Sequence, residues 1–143
     1  MSLDFSQFDR GVFLLNVHGI VYDKNTKQIL IGRRENDAYL KELAWCFPGG
    51  RPAYKNELEY YLLLEIKKKT SLDVKIKNVI FAKTYPEKRE FLSIYYLCDY
   101  VAGKAKAGEK FVEVKWVEPT KVTEYFTTSL HPKLFEYLKT LSQ

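Results

Sequence analysis

The chain has few cysteines and histidines and no long uninterrupted apolar run. Its 143 residues include only two cysteines and two histidines. Cys46 and Cys98 both lie in apolar, strand-like segments, so we expect buried free thiols rather than a disulfide or a metal pair, and a reducing cytoplasm. No segment has 18 consecutive apolar residues, and the amino-terminal residues lack a basic region followed by an apolar one. We therefore expect no membrane span and no signal peptide.

An excess of acidic residues is also absent. Lysine and arginine number 23 against 18 aspartates and glutamates, which gives a net charge of +5 and a pI near 9.1. This mild basic excess suits an anionic ligand such as a nucleoside diphosphate, and it would also suit RNA. A surface of scattered, solvated lysines is the alternative interpretation.

Strand-like and helical patterns alternate along the chain, and its length suits one domain over residues 1–143. Leu58, Leu62 and Ile66 recur every fourth residue, which predicts a helix with one face against a core. The predicted strands cover residues 11–22, 28–34, 44–47, 74–84, 91–101 and 111–117, and the predicted helices cover residues 57–70 and 132–141. A basic loop, predicted to be flexible, covers residues 103–110.

The segment 45–72 holds a glycine turn followed by the first helix, and it resembles the box motif of the Nudix hydrolase superfamily. The spacing of that box is retained from Gly50 onward, but most of its acids are replaced. Asn56 stands for the first glutamate, Leu64 for arginine, Glu65 for glutamate, Lys68 and Lys69 for the glutamate pair, and Ser71 for glycine. The resemblance covers nearly the whole chain and implies an α/β fold, an α/β/α sandwich with a mixed β-sheet.

The resemblance also implies a magnesium site. Glu65 and the Gly50 carbonyl are its candidate ligands, although the lysines in place of the box acids leave Mg²⁺ doubtful. Glu65 could equally form ion pairs with Lys68 and Lys69, which follow it at helical spacing. The two lysines could neutralise a diphosphate directly, or they could be exposed helix-end side chains. Gly49 and Gly50 could bring the backbone close to a phosphate, or form only a tight turn.

Three further details are similar to the GDP-mannose mannosyl hydrolase branch of the superfamily. They are the end of the second strand at Arg34, the glycine loop ending at Arg51, and His131 before the last helix. The resemblance implies that His131 is a general base for water attacking the sugar carbon, with Arg34 and Arg51 stabilising the leaving diphosphate. In the alternative interpretation His131 caps the helix and the arginines are loop charges. His18 is either a substrate contact or a histidine satisfied within the sheet.

Three functional hypotheses follow. The first is a Nudix-type hydrolase of a nucleotide sugar such as GDP-mannose, attacked at the sugar carbon. The second is a nucleotide- or RNA-binding module without turnover, suggested by Lys68 and Lys69 and by the basic loop with Lys104, Lys106 and Lys110. The third is a pyrophosphohydrolase of an ADP-ribose-like substrate, the default activity of the superfamily. A homodimer is possible, since relatives are often dimers.

Overall fold

The computed structural model of the chain describes residues 8–35, 44–128 and 130–143. Its helices are α1 (Leu58–Thr70) and α2 (Pro132–Leu141), with a 3-10 helix at Pro119–Glu124. Its strands are β1 (Leu14–Asp23), β2 (Gln28–Arg34), β3 (Trp45–Cys46), β4 (Gly49–Gly50), β5 (Asp73–Tyr85), β6 (Lys88–Ala102) and β7 (Phe111–Val117).

The strands form one mixed sheet. The order is β3-β2-β1-β6-β5, with β4 paired to β1 and β7 paired to β2. The central pair, β1 and β6, is parallel and runs in register from Leu14 opposite Phe91 to Tyr22 opposite Asp99. The other strand pairs are antiparallel. The predicted mixed α/β architecture is confirmed.

Apolar side chains on the two faces of the sheet form two separate cores. β1 contributes to both, because successive side chains of a strand point to opposite faces. Val17 and Val21 pack with Leu62 and Ile66 of α1, all with no exposed surface. Ile20 packs on the opposite face, in a core that includes Leu134 and Leu138 of α2. Helix, sheet and helix therefore make the predicted α/β/α sandwich.

The sequence patterns located most of the elements. Helix α1 begins one residue after the predicted start, with Glu57 as its N-cap, and Leu62 and Ile66 are buried as predicted. The first strand begins at Leu14 rather than at residue 11, where Gly11 has a φ of 89°. Strand β4 and the 3-10 helix were not predicted. None of the helices in the described part of the chain is long and apolar enough to cross a membrane.

The basic loop at residues 103–110 differs from its prediction. It was expected to be flexible, but it is tied to the carboxyl end of α1 by two backbone hydrogen bonds. The Lys106 N–H donates to the Thr70 carbonyl and the Gly108 N–H to the Lys69 carbonyl, each at 2.9 Å. Carbonyls in the last turn of a helix have no partner within the helix, so the loop supplies the missing donors. The end of α1 is thereby held in place.

Candidate functional site

A cavity of about 430 Å³ opens beside strand β4, between the end of α1 and the sheet. Among the residues that the structure describes, six charged side chains line it, Arg34, Arg51, Glu65, Lys69, Glu109 and Lys110. Aromatic side chains form much of the remaining wall, Trp45, Phe47, Tyr61, Tyr85, Phe91, Tyr95, Phe111 and Phe126. Within this described lining four cations outnumber two carboxylates, so its charge is positive and it lies among flat apolar surfaces.

The glycine turn brings backbone atoms to the wall of this cavity. Gly49 pairs with His18 of β1, and the Gly19 N–H donates to the Pro48 carbonyl at 2.8 Å. A Cβ at Gly49 would lie 1.9 Å from the Val17 carbonyl oxygen, and one at Gly50 would lie 2.4 Å from the Tyr61 hydroxyl. Glycine is needed at position 49 because backbone atoms fill the space, whereas a side chain at position 50 would require the end of the Tyr61 side chain to move. Both residues line the cavity, and their predicted contact with a phosphate stays a prediction.

Lys69 is a buried residue of the cavity lining. Its side chain is only 8% exposed, its Nζ donates to the Gly49 carbonyl, and it lies 3.5 Å from Glu65 Oε2. Burial lowers the pKa of its ammonium, and the Glu65 carboxylate opposes that shift. The alternative of an exposed helix-end lysine is therefore wrong for Lys69.

Lys68, the other lysine in place of a box acid, lies elsewhere. Its side chain is 56% exposed, its Nζ is 3.7 Å from Glu65 Oε1, and it does not line the cavity. Successive helical residues point about 100° apart, which explains why the two lysines have different environments. A signal for this was present in the sequence, since Lys69 continues the stripe of Leu58, Leu62 and Glu65 along α1.

The side chains at the predicted metal position do not fit a divalent cation. Magnesium takes near-octahedral oxygen ligands. In the part of the chain that the structure describes, no group of three or more histidine, cysteine, aspartate or glutamate side chains could hold a metal. The Lys69 ammonium also lies between the Gly49 carbonyl and Glu65, where it would repel a cation. Glu65, the carboxylate of the predicted site, is thus ion-paired with protein side chains.

His18 is a neutral group on the cavity wall. Its Nε2 is 3.0 Å from Ser93 Oγ, and its ring stacks on Tyr95 with centroids 4.9 Å apart. Burial, followed by the positive charges of Lys69, Lys83 and Arg34, lowers its pKa to about 3. The two interpretations of His18 are compatible, because it is bonded within the sheet and also lines the cavity.

His131 is the N-cap of α2. Its Nδ1 accepts the Lys133 N–H at 3.1 Å, and its ring centroid is 4.8 Å from that of Phe81. The neighbouring Leu130 lines the cavity, whereas His131 does not. His131 therefore caps α2 in this structure. It is not among the described residues that line the cavity, so the geometry gives no support to its predicted role as general base.

Both predicted arginines line the cavity. The Arg51 guanidinium also lies 5.8 Å from the centre of the Phe91 ring. Glu109 and Lys110 were not predicted as part of this site, although Lys110 was noted as part of a basic loop. They reach the cavity because the loop 103–110 folds back onto α1, which residue spacing alone does not show.

Comparison with known proteins decides the family. The family model described as NUDIX domain matches residues 12–139, nearly the whole chain. The chain belongs to the Nudix family. An ADP-ribose pyrophosphatase of Methanocaldococcus jannaschii is 29% identical over 123 residues, which cover 82% of this chain and 64% of that protein. The chain thus spans less than two thirds of this relative's length.

Solved Nudix structures share the fold. A MutT protein from Methanosarcina mazei superposes with a TM-score of 0.74 and 17% identity, covering 90% of this chain and 94% of that one. The NUDIX domain of Shewanella oneidensis NrtR, in complex with ADP ribose, superposes with a TM-score of 0.70 and 18% identity, covering 96% and 92%. At these identities the likeness concerns the Nudix fold alone.

The Nudix match bears on the functional hypotheses through one relative, the Methanocaldococcus jannaschii protein, which is named an ADP-ribose pyrophosphatase. The comparisons support the Nudix part of the prediction and not its GDP-mannose branch. The predicted ADP-ribose alternative fits the name of this relative better.

Proposed function

We propose that the cavity of this Nudix protein binds ADP-ribose or a closely related nucleoside diphosphate compound. The observation that carries the proposal is the combination of a buried ammonium with two arginines in one cavity. Lys69, Arg34 and Arg51 all line it. A diphosphate is a compact anion that such a set can neutralise, and guanidinium groups pair well with phosphate oxygens.

The rest of the cavity suits the uncharged parts of such a ligand. Its volume of about 430 Å³ lies within the usual range for small-molecule sites. Aromatic rings such as Trp45, Tyr85 and Phe126 offer flat surfaces on which a base can stack. His18 and Asn16 add neutral polar groups that can bond to hydroxyls or ring nitrogens.

The relatives support ADP-ribose over GDP-mannose as the ligand class. One curated relative is named ADP-ribose pyrophosphatase, and one Nudix domain of similar fold was solved with ADP ribose bound. RNA is less well supported, because Lys104 and Lys106 do not line the cavity.

Hydrolysis of the pyrophosphate bond is the second candidate function. It is favoured by the name of the Methanocaldococcus jannaschii relative and by Glu65, the box acid that this chain keeps. Against it stands Lys69, which replaces an acid at the position where a metal-dependent mechanism needs one. Binding therefore agrees better with the geometry than turnover does.

Calorimetry with ADP-ribose and GDP-mannose tests the binding proposal. We expect ADP-ribose to bind more tightly, and Arg51→Ala to weaken it by about 10-fold or more, as expected for a charge-assisted hydrogen bond. Arg89→Ala is the matched control, since Arg89 is exposed and bonds to Thr84 Oγ1 at 3.1 Å. No heat of binding with ADP-ribose, or equal losses in both variants, would contradict the proposal.

Phosphorus and proton NMR of the same mixtures separate binding from turnover. Intact ADP-ribose with perturbed protein signals supports binding. Release of AMP and ribose 5-phosphate establishes the second candidate. Free mannose with GDP from GDP-mannose would instead support attack at the sugar carbon.

A further inference from the structure

We infer that Lys69 is a built-in cation that takes the place of a bound divalent metal, so that this site binds its diphosphate ligand without metal. The inference rests on the proposed function. It concerns how this chain neutralises the ligand, and it follows from the position of one ammonium group.

The Lys69 ammonium is surrounded by the oxygens that would otherwise favour a metal ion. Its Nζ donates to the Gly49 carbonyl and lies 3.5 Å from Glu65 Oε2. A carbonyl and a carboxylate are typical hard ligands for magnesium, and here both contact a protein cation instead. The charge that a metal would bring is thus supplied in part by the chain.

The backbone around Lys69 is fixed, so the ammonium is held in place. The Gly108 N–H donates to the Lys69 carbonyl and the Lys106 N–H to the Thr70 carbonyl, each at 2.9 Å. Thr70 Oγ1 donates to the Ile66 carbonyl at 2.6 Å, in a part of α1 that is buried. A side chain that is 8% exposed on such a backbone has little freedom to leave the site.

One donor of the ammonium remains for a ligand. A lysine ammonium has three N–H donors. Among the residues that the structure describes, Gly49 and Glu65 are its bonding partners, and the side chain also lines the cavity. A phosphate oxygen entering beside Gly49 can accept the third hydrogen. Glu65 then balances the ammonium charge before the ligand arrives, as a buried charge requires.

Lys68 offers a matched control. It has the same charge, is one residue away on the same helix, and contacts the same carboxylate through Oε1 at 3.7 Å. Its exposed side chain lies outside the cavity lining, so it cannot touch the ligand proposed here. Lys69→Met and Lys68→Met therefore remove one charge each with nearly the same change of shape.

The first test is ADP-ribose affinity in excess chelator and in millimolar Mg²⁺. We expect equal affinity for the unaltered protein under both conditions. Lys69→Met should lose about 10- to 100-fold in both, as for a hydrogen bond to a charged group, and Lys68→Met less than about fivefold. A gain of tenfold or more in affinity on adding Mg²⁺, or equal losses in the two folded variants, would overturn the inference.

A second measurement needs no nucleotide. Mn²⁺ titration followed by electron paramagnetic resonance reports metal binding to the protein alone. We expect no specific Mn²⁺ site that involves Glu65, so the unaltered protein and Glu65→Gln should give the same titration. A site lost in Glu65→Gln would overturn the inference. Failure to bind ADP-ribose would refute the proposed function, and the Mn²⁺ titration would still decide whether Lys69 excludes a metal.

Discussion

Mild acid should destabilise the folded protein, because His18 takes up a proton in the unfolded chain and not in the folded one. His18 is stacked on Tyr95, bonded to Ser93, and faces the positive charges of Lys69, Lys83 and Arg34. Its pKa is lowered to about 3 from the ordinary value of 6.5, so the unfolded chain binds a proton between these values while the folded chain does not. By linkage, the contribution of His18 to the free energy of unfolding falls as pH decreases through that range.

The size of the effect follows from the two pKa values. At pH 7.5 the contribution is close to zero, because both states are mostly neutral. At pH 5 protonation of this one histidine lowers the free energy of the unfolded state by about 2 kcal/mol, which reduces the free energy of unfolding by the same amount. This change in the free energy of unfolding is nearly the same if the pKa of His18 in the folded protein is one unit higher, since His18 is then still mostly unprotonated at pH 5.

Urea denaturation at pH 7.5 and pH 5 measures this contribution. The unaltered protein should lose about 2 kcal/mol more stability between these values than His18→Gln, which keeps a neutral polar side chain. His131→Gln, which replaces the other histidine, is the matched control. If His18→Gln and the unaltered protein lose the same stability, His18 accepts a proton freely in the folded state and the reasoning fails.

Three further predictions concern the glycine turn, the last helix and the thiols. Gly50→Ala should cost about 1–3 kcal/mol in urea denaturation, since its Cβ would meet the Tyr61 hydroxyl at 2.4 Å, and should cost less in a Tyr61→Phe background. His131→Ala should lower the free energy of unfolding by about 0.5–2 kcal/mol through loss of a cap, and it should leave ADP-ribose affinity unchanged in calorimetry. Weakened binding would instead support a role for His131 at the site. Burial raises the pKa of Cys98 to about 12, so a thiol reagent should modify it only after unfolding, whereas the partly buried Cys46 should react first; prompt reaction of Cys98 would contradict its burial.

Much of the fold could be predicted because its elements have strong local patterns. The apolar residues of α1 recur at helical spacing, and the hairpin of β1 and β2 is divided by a polar turn. Strand β4 could not be found this way. Two consecutive glycines are typical of a turn, and here they form a strand only because β1 lies beside them in the folded chain.

The site was predictable where the motif fixed positions and not where packing decided them. Gly50, Arg51 and Glu65 reach one cavity because the spacing of the box is preserved. His131 was assigned from resemblance alone, and its place depends on how the chain enters α2. The burial of Lys69 had a signal in its helical spacing, whereas Glu109 and Lys110 reach the cavity only because the loop 103–110 packs on α1.

The parallel pairing at the centre of the sheet has a consequence for how the chain acquires its structure during synthesis. Strand β1 is made early, but its neighbour β6 begins at Lys88, and their register joins residues such as Val17 and Ile94 that are far apart in sequence. The pairing of β1 with β6 must therefore wait until most of the chain has left the ribosome, although β2 and α1 are made earlier and contact β1 as well. Pairing of such distant segments is slow compared with closing the local hairpins β1–β2 and β5–β6. The centre of the sheet is thus the place where two local hairpins, one from each half of the chain, are joined.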